Sequence, residues 1–149
     1  MEKAISSDRE IKATRLLNAP RELVWKVFTE PDHIAKWWGP KGFTNTIHQM
    51  DVRVGGIWKF IMHGPDGTNY PNESVFLELV KPQRIVFRHS KPDFTATITF
   101  EEEGGQTKLT WRMLFDSGAV YEGIKKIAVP GLQENLVKLE AYLKDSIYG

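Results

Sequence analysis

The sequence contains no cysteine, which excludes disulfides, thiolate metal ligands and a cysteine nucleophile. It also lacks an excess of either charge, since 20 Lys and Arg residues are balanced by 19 Asp and Glu residues. A nucleic-acid backbone requires clustered basic side chains, so we expect no nucleic-acid partner. No apolar run approaches the about 20 residues that span a bilayer. The polar start MEKAISSDREIK has no signal-peptide core. We therefore expect a cytoplasmic protein without membrane insertion.

Motifs of the common catalytic and metal sites are also missing. The histidines are His33, His48, His63 and His89. No two of them have a metal-ligand spacing, and no H-E-x-x-H motif occurs. A G-x-S-x-G nucleophile elbow is absent, and the two Gly-Gly pairs precede strands rather than the helix start that a phosphate site needs. We expect no metal and no cofactor. Catalysis stays open, although a role without catalysis is favoured.

The composition that remains is that of a globular protein. Apolar residues make up 41% and charged residues 26% of the 149 residues, which argues against disorder. This length is most simply one domain, and it is sufficient to bury a substantial core. We expect a flexible N-terminal tail over residues 1–9 and one domain over residues 10–149.

Periodicity and punctuation predict the elements. Prolines at 20 and 31 mark the starts of two short helices, and Gly39-Pro40 ends the second. Alternating residues predict strands at 10–17, 44–51, 57–63, 73–81, 84–90, 95–102 and 107–115. Leucines at 132, 136, 139 and 143 recur at helical spacing and predict a long amphipathic helix that begins at Pro130. A shorter helical piece over 120–127 precedes it.

This order of elements predicts an α+β protein of the helix-grip type. A sheet of about six to seven antiparallel strands must curl to bury one face, and a single long helix is available to fill the curl. One helix fills such a sheet incompletely. We therefore expect a cavity between the sheet and the C-terminal helix, closed at one end by the two short helices that follow the first strand.

Three stretches of the chain resemble a known family. They read NAPRELVWKVFTEPDHIAKWWGPKGFT, DVRVGGIWKFIMHGPDGTNYPNES and LVKPQRIVF. Together they closely resemble the activator-of-heat-shock-ATPase-homologue-like family, which belongs to the START-like, or SRPBCC, superfamily of helix-grip proteins. The resemblance covers residues 10–143. It implies the helix-grip fold, stand-alone relatives that bind apolar small molecules, and an interaction with a heat-shock chaperone in the stress response. A few superfamily members are cyclases or hydrolases.

The predicted ligand pocket is assigned mainly from strand alternation. Its residues are Trp38, Trp58, Phe60, Met62, Phe76, Glu78, Phe87, His89, Trp111, Met113, Phe115, Tyr121, Leu132 and Leu136. Large flat side chains on one face suit a ring-bearing or lipid-like ligand, and methionines add adaptable surface. The alternative is that these side chains only pack against the leucines of the helix. In the tryptophan pair, adjacent helical residues diverge by roughly 100°, so we favour Trp38 over Trp37 as the pocket residue.

Glu78 is the candidate for a polar group inside the pocket. Alternation places it on the same face as Phe76, where a desolvated carboxylic acid can donate a hydrogen bond or act as a general acid. The alternative is a solvated Glu78 paired with a nearby arginine. If the protein is an enzyme, the sequence nominates Glu78 with His63 or His89 as its acid and base.

Three functional hypotheses follow. The leading one is a small binding protein that encloses an apolar or amphipathic molecule, either lipid-like or aromatic. The second is an interaction protein that contacts a heat-shock chaperone, which the family resemblance implies. The third is an enzyme of the cyclase or hydrolase kind. We expect a monomer or a weak homodimer, since an exposed strand edge can pair with a second copy.

Overall fold

The computed structural model describes residues 5–6 and 9–148. Its strands are β1 Ile5–Ser6, β2 Glu10–Leu17, β3 Thr44–Met50, β4 Ile57–His63, β5 Asn69–Val80, β6 Arg84–Ser90, β7 Phe94–Glu103 and β8 Gln106–Phe115. Its helices are α1 Arg21–Thr29, α2 Pro31–Ile34 and α3 Gly118–Tyr148. The strands form one antiparallel sheet in the order β1-β2-β8-β7-β6-β5-β4-β3. This is the predicted helix-grip fold, with the long helix packed on the sheet.

The core lies between one face of the sheet and α3. Alternate residues of β7 face inward, and the buried ones are Phe94, Ala96, Ile98 and Phe100. The predicted leucine stripe of α3 supplies the opposite side, with Leu132, Leu136, Leu139 and Leu143 all buried. The inward-facing side chains of the strands and the leucine stripe of α3 therefore form a single apolar layer.

Pro130 does not begin a helix. It lies inside α3, which runs without interruption from Gly118 to Tyr148. An internal proline removes one backbone hydrogen bond, but tertiary packing holds the preceding turns. Tyr121 is 2% exposed, and its ring centroid lies 5.9 Å from that of Phe115. The two predicted helical pieces are therefore one helix docked on β8.

β5 begins at Asn69, earlier than the predicted start at 73. The prediction was wrong because Pro71 discourages a strand assignment. In the structure, residues 69–72 pair with β4, whereas the pairing with β6 begins only at Glu73. Pro71 therefore occupies a part of β5 that has a single neighbouring strand, where a missing N–H is tolerated.

The predicted N-terminal tail is partly paired. Ile5–Ser6 forms a short strand against β2, and the Arg9 guanidinium donates to the backbone oxygens of Phe115 and Asp116. Residues 1–4 and 7–8 lie outside the described part of the chain. Among the residues that the structure describes, no helix has the length and apolar character needed to cross a membrane.

Candidate ligand cavity

A cavity of about 260 Å³ lies between the sheet, the middle of α3 and the segment that follows α2. We call that segment, residues 35–43, the tryptophan loop. The sheet contributes Trp58, Phe60, Met62, Asn72, Ser74, Phe87, His89, Phe94, Trp111 and Met113, and the turn between β6 and β7 contributes Pro92. The tryptophan loop contributes Trp38, Gly39 and Pro40. The helix contributes Ile124, Ile127, Ala128, Gly131, Leu132 and Asn135.

The wall of the cavity is a set of interlocked aromatic rings with Trp38 at its centre. The Trp38 ring centroid lies 4.9 Å from that of Trp58 in an edge-to-face arrangement. It lies 5.1 Å from that of Trp111, which it stacks upon. Trp58 in turn stacks on Phe60, with the centroids 4.7 Å apart. Such ring pairs add to the stability gained from apolar burial, so the wall is an ordered surface of flat faces.

The two neighbouring tryptophans have different roles. Trp37 is fully buried, its Nε1 donates to the backbone oxygen of Val27 over 2.9 Å, and its ring meets the edge of Phe28 at 4.7 Å. It therefore anchors the tryptophan loop to α1. Trp38 is only half-buried and lines the cavity. This is the division expected when two successive side chains leave the backbone in different directions.

Asn135 of α3 ties the tryptophan loop to the helix. Its Oδ1 accepts from the backbone N–H of Gly39 over 3.1 Å, and its Nδ2 donates to the backbone oxygen of Trp37 over 2.9 Å. Gly39 has a φ of 95°, a conformation that favours glycine. One buried amide therefore satisfies two backbone groups on either side of Trp38 and sets the position of that residue.

Lys138 adds a second tie, one helical turn further along. Its Nζ donates to the backbone oxygens of Trp38, Pro40 and Phe43 over 3.4, 3.2 and 3.1 Å. Burial lowers the pKa of Lys138, and the nearby Glu134 carboxylate acts in the opposite direction. Three carbonyl acceptors match the three donors of an ammonium group. The loop that carries the cavity mouth is thus held by two polar side chains of α3.

Within the part of the chain that the structure describes, three polar atoms on cavity-lining residues have no hydrogen-bond partner. They are the indole Nε1 of Trp58, the indole Nε1 of Trp111 and the hydroxyl of Ser74. All three residues are at most 3% exposed. A buried donor without a partner costs about 1–3 kcal/mol, so these three atoms are candidates for hydrogen bonds to a ligand or to buried water.

His89 lies next to Ser74 across the sheet and lines the same cavity. Its Nδ1 lies 2.8 Å from the backbone oxygen of Pro92, and its Nε2 lies 2.7 Å from Oδ1 of Asn72. Its ring stacks on Phe94 with the centroids 4.7 Å apart. Burial lowers the pKa of His89, although the hydrogen bond to Pro92 and the charge of Asp93 act in the opposite direction.

This pKa shift predicts a pH dependence of stability. Above the ordinary histidine pKa of about 6.5, His89 is neutral in both the folded and the unfolded chain. As the pH falls through that value towards the lower pKa of the folded state, the unfolded chain binds a proton that the folded chain does not, so stability falls. Urea denaturation at about pH 7.5 and about pH 5.5 should show a larger loss for the native sequence than for His89→Gln. His48→Gln, at an exposed position of β3, is the matched control. An equal loss of stability in the native protein and in both variants would contradict the lowered pKa of His89.

Glu78 does not line the cavity, so the prediction of a desolvated carboxyl group was wrong. The register between β5 and β6 shifts between Phe76 and Glu78, which places an extra residue at Leu77. A β-bulge of this kind reverses the alternation beyond it. The Glu78 side chain is 42% exposed and forms an ion pair with Arg84. The structure therefore matches the alternative, a solvated glutamate paired with an arginine.

The proposed acid–base groups are not brought together. His63 is hydrogen-bonded through Nδ1 to Asn69 and through Nε2 to Thr46, each over 2.7 Å, and it does not line the cavity that His89 borders. Among residues 5–6 and 9–148, no group of three or more His, Asp or Glu side chains is arranged to hold a metal ion. Glu78, His63 and His89 thus occupy separate environments.

Other predicted pocket residues lie in the core behind the cavity. Phe76 lies behind Trp58, with parallel rings whose centroids are 6.2 Å apart. Phe115 and Tyr121 pack on each other, and Leu136 is buried in the main core. The predicted residues that do line the cavity are Trp38, Trp58, Phe60, Met62, Phe87, His89, Trp111, Met113 and Leu132.

Sequence reasoning missed the small and polar members of the site. Ser74 stands two residues before Phe76 on β5, so alternation from Phe76 points to it directly. The predicted strand at 73–81 already included Ser74, but only large apolar and titratable residues of that face were nominated for the pocket. Asn135 lies next to Leu136 in the helical stripe, and a polar residue there gave no signal of its own. Phe94 was missed because the predicted strand began one residue too late.

Solved structures share this fold. A protein from Nitrosomonas europaea is 24% identical, with 97% of this chain and 100% of that chain covered and a TM-score of 0.86. A protein from Chromobacterium violaceum is 29% identical, with 89% and 95% covered and a TM-score of 0.80. An AHSA1-like protein from Aeromonas hydrophila is 21% identical, with 91% and 93% covered and a TM-score of 0.74.

The chain was also compared with curated proteins and with protein families. No curated protein matches the chain. In contrast, the sequence pattern of the family described as Activator of Hsp90 ATPase homolog 1-like protein matches residues 18–144. That range includes the tryptophan loop, every strand of the sheet from β3 to β8 and the cavity-lining part of α3. The chain therefore belongs to the family of activator of Hsp90 ATPase homolog 1-like proteins.

Proposed function

We propose that this chain is a small cytoplasmic binding protein that encloses an apolar ring compound between its sheet and α3. The observation that carries the proposal is the cavity itself, which combines stacked aromatic walls with a few polar atoms. That combination is typical of small-molecule sites, where apolar contacts supply affinity and a few polar groups orient the ligand. Membership of a family with the helix-grip fold supports the same function.

The volume of the cavity limits the size of the ligand. Its volume of about 260 Å³ is close to the lower limit of ligand pockets, which are about 300–1,000 Å³. A compound with one or two rings fits this space better than a long-chain lipid does. Flat tryptophan faces also favour a planar molecule over a flexible chain. Between the lipid-like and the aromatic ligands that the sequence allowed, we therefore favour the aromatic one.

The mouth of the cavity is formed by α3 and the tryptophan loop. Ile127 lines the cavity and is 76% exposed, so an apolar side chain stands at the boundary with solvent. Gly131 faces Pro40, and a Cβ at that glycine would lie 3.5 Å from the proline ring. A small residue on the helix thus leaves the loop in close contact with it. These contacts support entry beside Ile127.

A cavity-filling variant tests the proposal. Ala128→Phe places an aromatic ring on a half-buried, cavity-lining position of α3 and should weaken the binding of small ring compounds at least about tenfold by occupying their space. Ala141→Phe makes the same change at an exposed position of the same helix and should not. Binding is measured from the indole N–H signals in protein NMR spectra, during titration with naphthalene, flavone and decanoate.

The outcomes are distinct. Shifts of the tryptophan signals with naphthalene in the native protein and in Ala141→Phe, but not in Ala128→Phe, support a binding cavity. Spectra that no compound changes would contradict the proposal. Binding that survives Ala128→Phe would place the ligand elsewhere. A stronger response to decanoate than to naphthalene would favour a lipid-like ligand over a ring.

A further inference from the structure

Buried polar atoms without partners are concentrated at the cavity. Among the side chains that the structure describes, such atoms occur on Asn45, Gln133, Trp58, Ser74 and Trp111. The last three residues all line the cavity, whereas Asn45 and Gln133 do not. Two of the three atoms are indole N–H groups, which can only donate, and the third is a hydroxyl that can donate. The cavity is therefore supplied with hydrogen-bond donors.

Two of these donors are neighbours in the sheet. Ser74 on β5 is directly opposite Trp58 on β4, and both side chains point to the inner face. Directly opposed residues in an antiparallel sheet have Cβ atoms only about 4.5–5.5 Å apart. The two donors therefore belong to neighbouring side chains on the inner face of the sheet. Trp111 offers a further donor on β8.

The charges of the cavity-lining residues indicate whether an anionic or a neutral acceptor binds there. The residues that line the cavity include no Lys, Arg, Asp or Glu, and His89 is the only titratable one among them. An ionised carboxylate or phosphate would be desolvated there without a permanent cation to balance it. A neutral carbonyl oxygen has no such requirement, and it accepts two hydrogen bonds through its lone pairs.

We propose that the ligand is a neutral compound of one or two rings that carries a carbonyl oxygen, and that Trp58 Nε1 and Ser74 Oγ donate to this oxygen. The inference rests on the proposed function and specifies the chemical class of the ligand. It also accounts for two of the three unpartnered donors, which a ligand without an acceptor would leave unpaired. A ketone or a quinone has the required chemistry.

The inference requires a side chain next to these donors to move, and we assign that movement to Trp38. The donor atoms are shielded from solvent, so an acceptor reaches them only when a neighbouring side chain moves. Trp38 is the half-buried ring that meets Trp58 at 4.9 Å and Trp111 at 5.1 Å. In this proposal the ligand displaces the Trp38 ring, while the backbone of the tryptophan loop stays held by Asn135 and Lys138.

A matched pair of probes tests the inference. 1-Tetralone and tetralin share one fused two-ring skeleton and differ by a carbonyl group in place of a methylene. A carbonyl buried without a donor weakens binding, whereas two hydrogen bonds should make 1-tetralone bind about tenfold more tightly than tetralin. Calorimetric titration of the full chain gives both affinities. Ser74→Ala and Trp58→Phe should each reduce the preference for 1-tetralone.

Trp25→Phe is the control for the loss of an indole. Trp25 packs edge-on against Phe100 and does not line the cavity, so this variant should keep the preference for 1-tetralone. Ser74→Ala removes a single oxygen, and it keeps the test decisive if Trp58→Phe fails to fold. In the native protein, the Trp58 indole N–H signal should also move downfield with 1-tetralone and less with tetralin.

Each result separates the inference from the proposed function. If tetralin binds as tightly as 1-tetralone or more tightly, the carbonyl inference is overturned while the binding cavity stands. If neither compound binds, both proposals are overturned. If the preference for 1-tetralone persists in Ser74→Ala and in Trp58→Phe, the assignment of the donors is wrong.

Discussion

Gly56→Ala is expected to lower the free energy of unfolding by about 3 kcal/mol or to prevent folding, because overpacking against fixed atoms is among the most costly changes. A Cβ at this position would lie 2.0 Å from the backbone oxygen of Asp51 and 2.9 Å from that of Arg53. Neither atom belongs to a flexible side chain. The Gly56 N–H also donates to Arg53 over 2.8 Å, and its oxygen accepts from Phe76 over 3.0 Å. The turn therefore cannot shift without losing its connection to β5.

Chemical denaturation measures this effect, and Gly123→Ala is the control of opposite sign. Gly123 is exposed in α3, and a Cβ there would meet no atom within 4 Å. Alanine is a better helix former, so this change should stabilise the protein by about 0.5–1 kcal/mol. A Gly56→Ala protein within about 1 kcal/mol of the native one would show that the turn adopts another conformation.

The second large effect is expected from Asn135→Leu. Leucine has a similar size but no amide, so the Gly39 N–H and the Trp37 carbonyl would be left buried without partners. The loss of two buried hydrogen bonds should cost about 2–4 kcal/mol. Because the same two bonds set the position of Trp38, we also expect weaker binding of small ring compounds. Denaturation and calorimetry on one protein sample measure the two effects.

Gln133→Leu is the matched control on the same helix. Among the described residues its Nε2 has no partner, and its Oε1 accepts a single long hydrogen bond of 3.4 Å, from Arg15. Its replacement should therefore change stability by less than about 1 kcal/mol. A loss of stability in Asn135→Leu without a loss of ligand affinity would show that the tryptophan loop keeps its position without the Asn135 amide. That result would separate the role of Asn135 in stability from its role at the cavity.

Much of the fold could be predicted from local patterns. The strands over residues 10–17, 57–63 and 84–90 have the predicted bounds, because each alternates regularly and is bounded by turn residues. The leucine stripe of α3 was equally clear, since its spacing matches one face of a helix. The predicted family and the predicted helix-grip fold are both confirmed.

The errors occurred where a distant part of the chain overrides a local rule. Pro130 is a typical helix start, yet it lies within α3 because Tyr121 docks the earlier turns on Phe115. Regular alternation from Phe76 predicts that Glu78 faces inward, yet the bulge at Leu77 places its side chain on the solvent-exposed face. Neither outcome can be read from neighbouring residues, because each depends on a partner element elsewhere in the chain.

The sequence alone determined the elements, their order and the apolar residues that build one face of the sheet, since these follow from periodicity. Only the tertiary structure decided which of those residues border a cavity and which lie behind it. It also brought Asn135 to the tryptophan loop and placed the unpartnered Ser74 hydroxyl beside Trp58. Hydrogen-bond satisfaction is a property of three-dimensional neighbours. For that reason, the donors that nominate a carbonyl ligand could not be identified from the sequence.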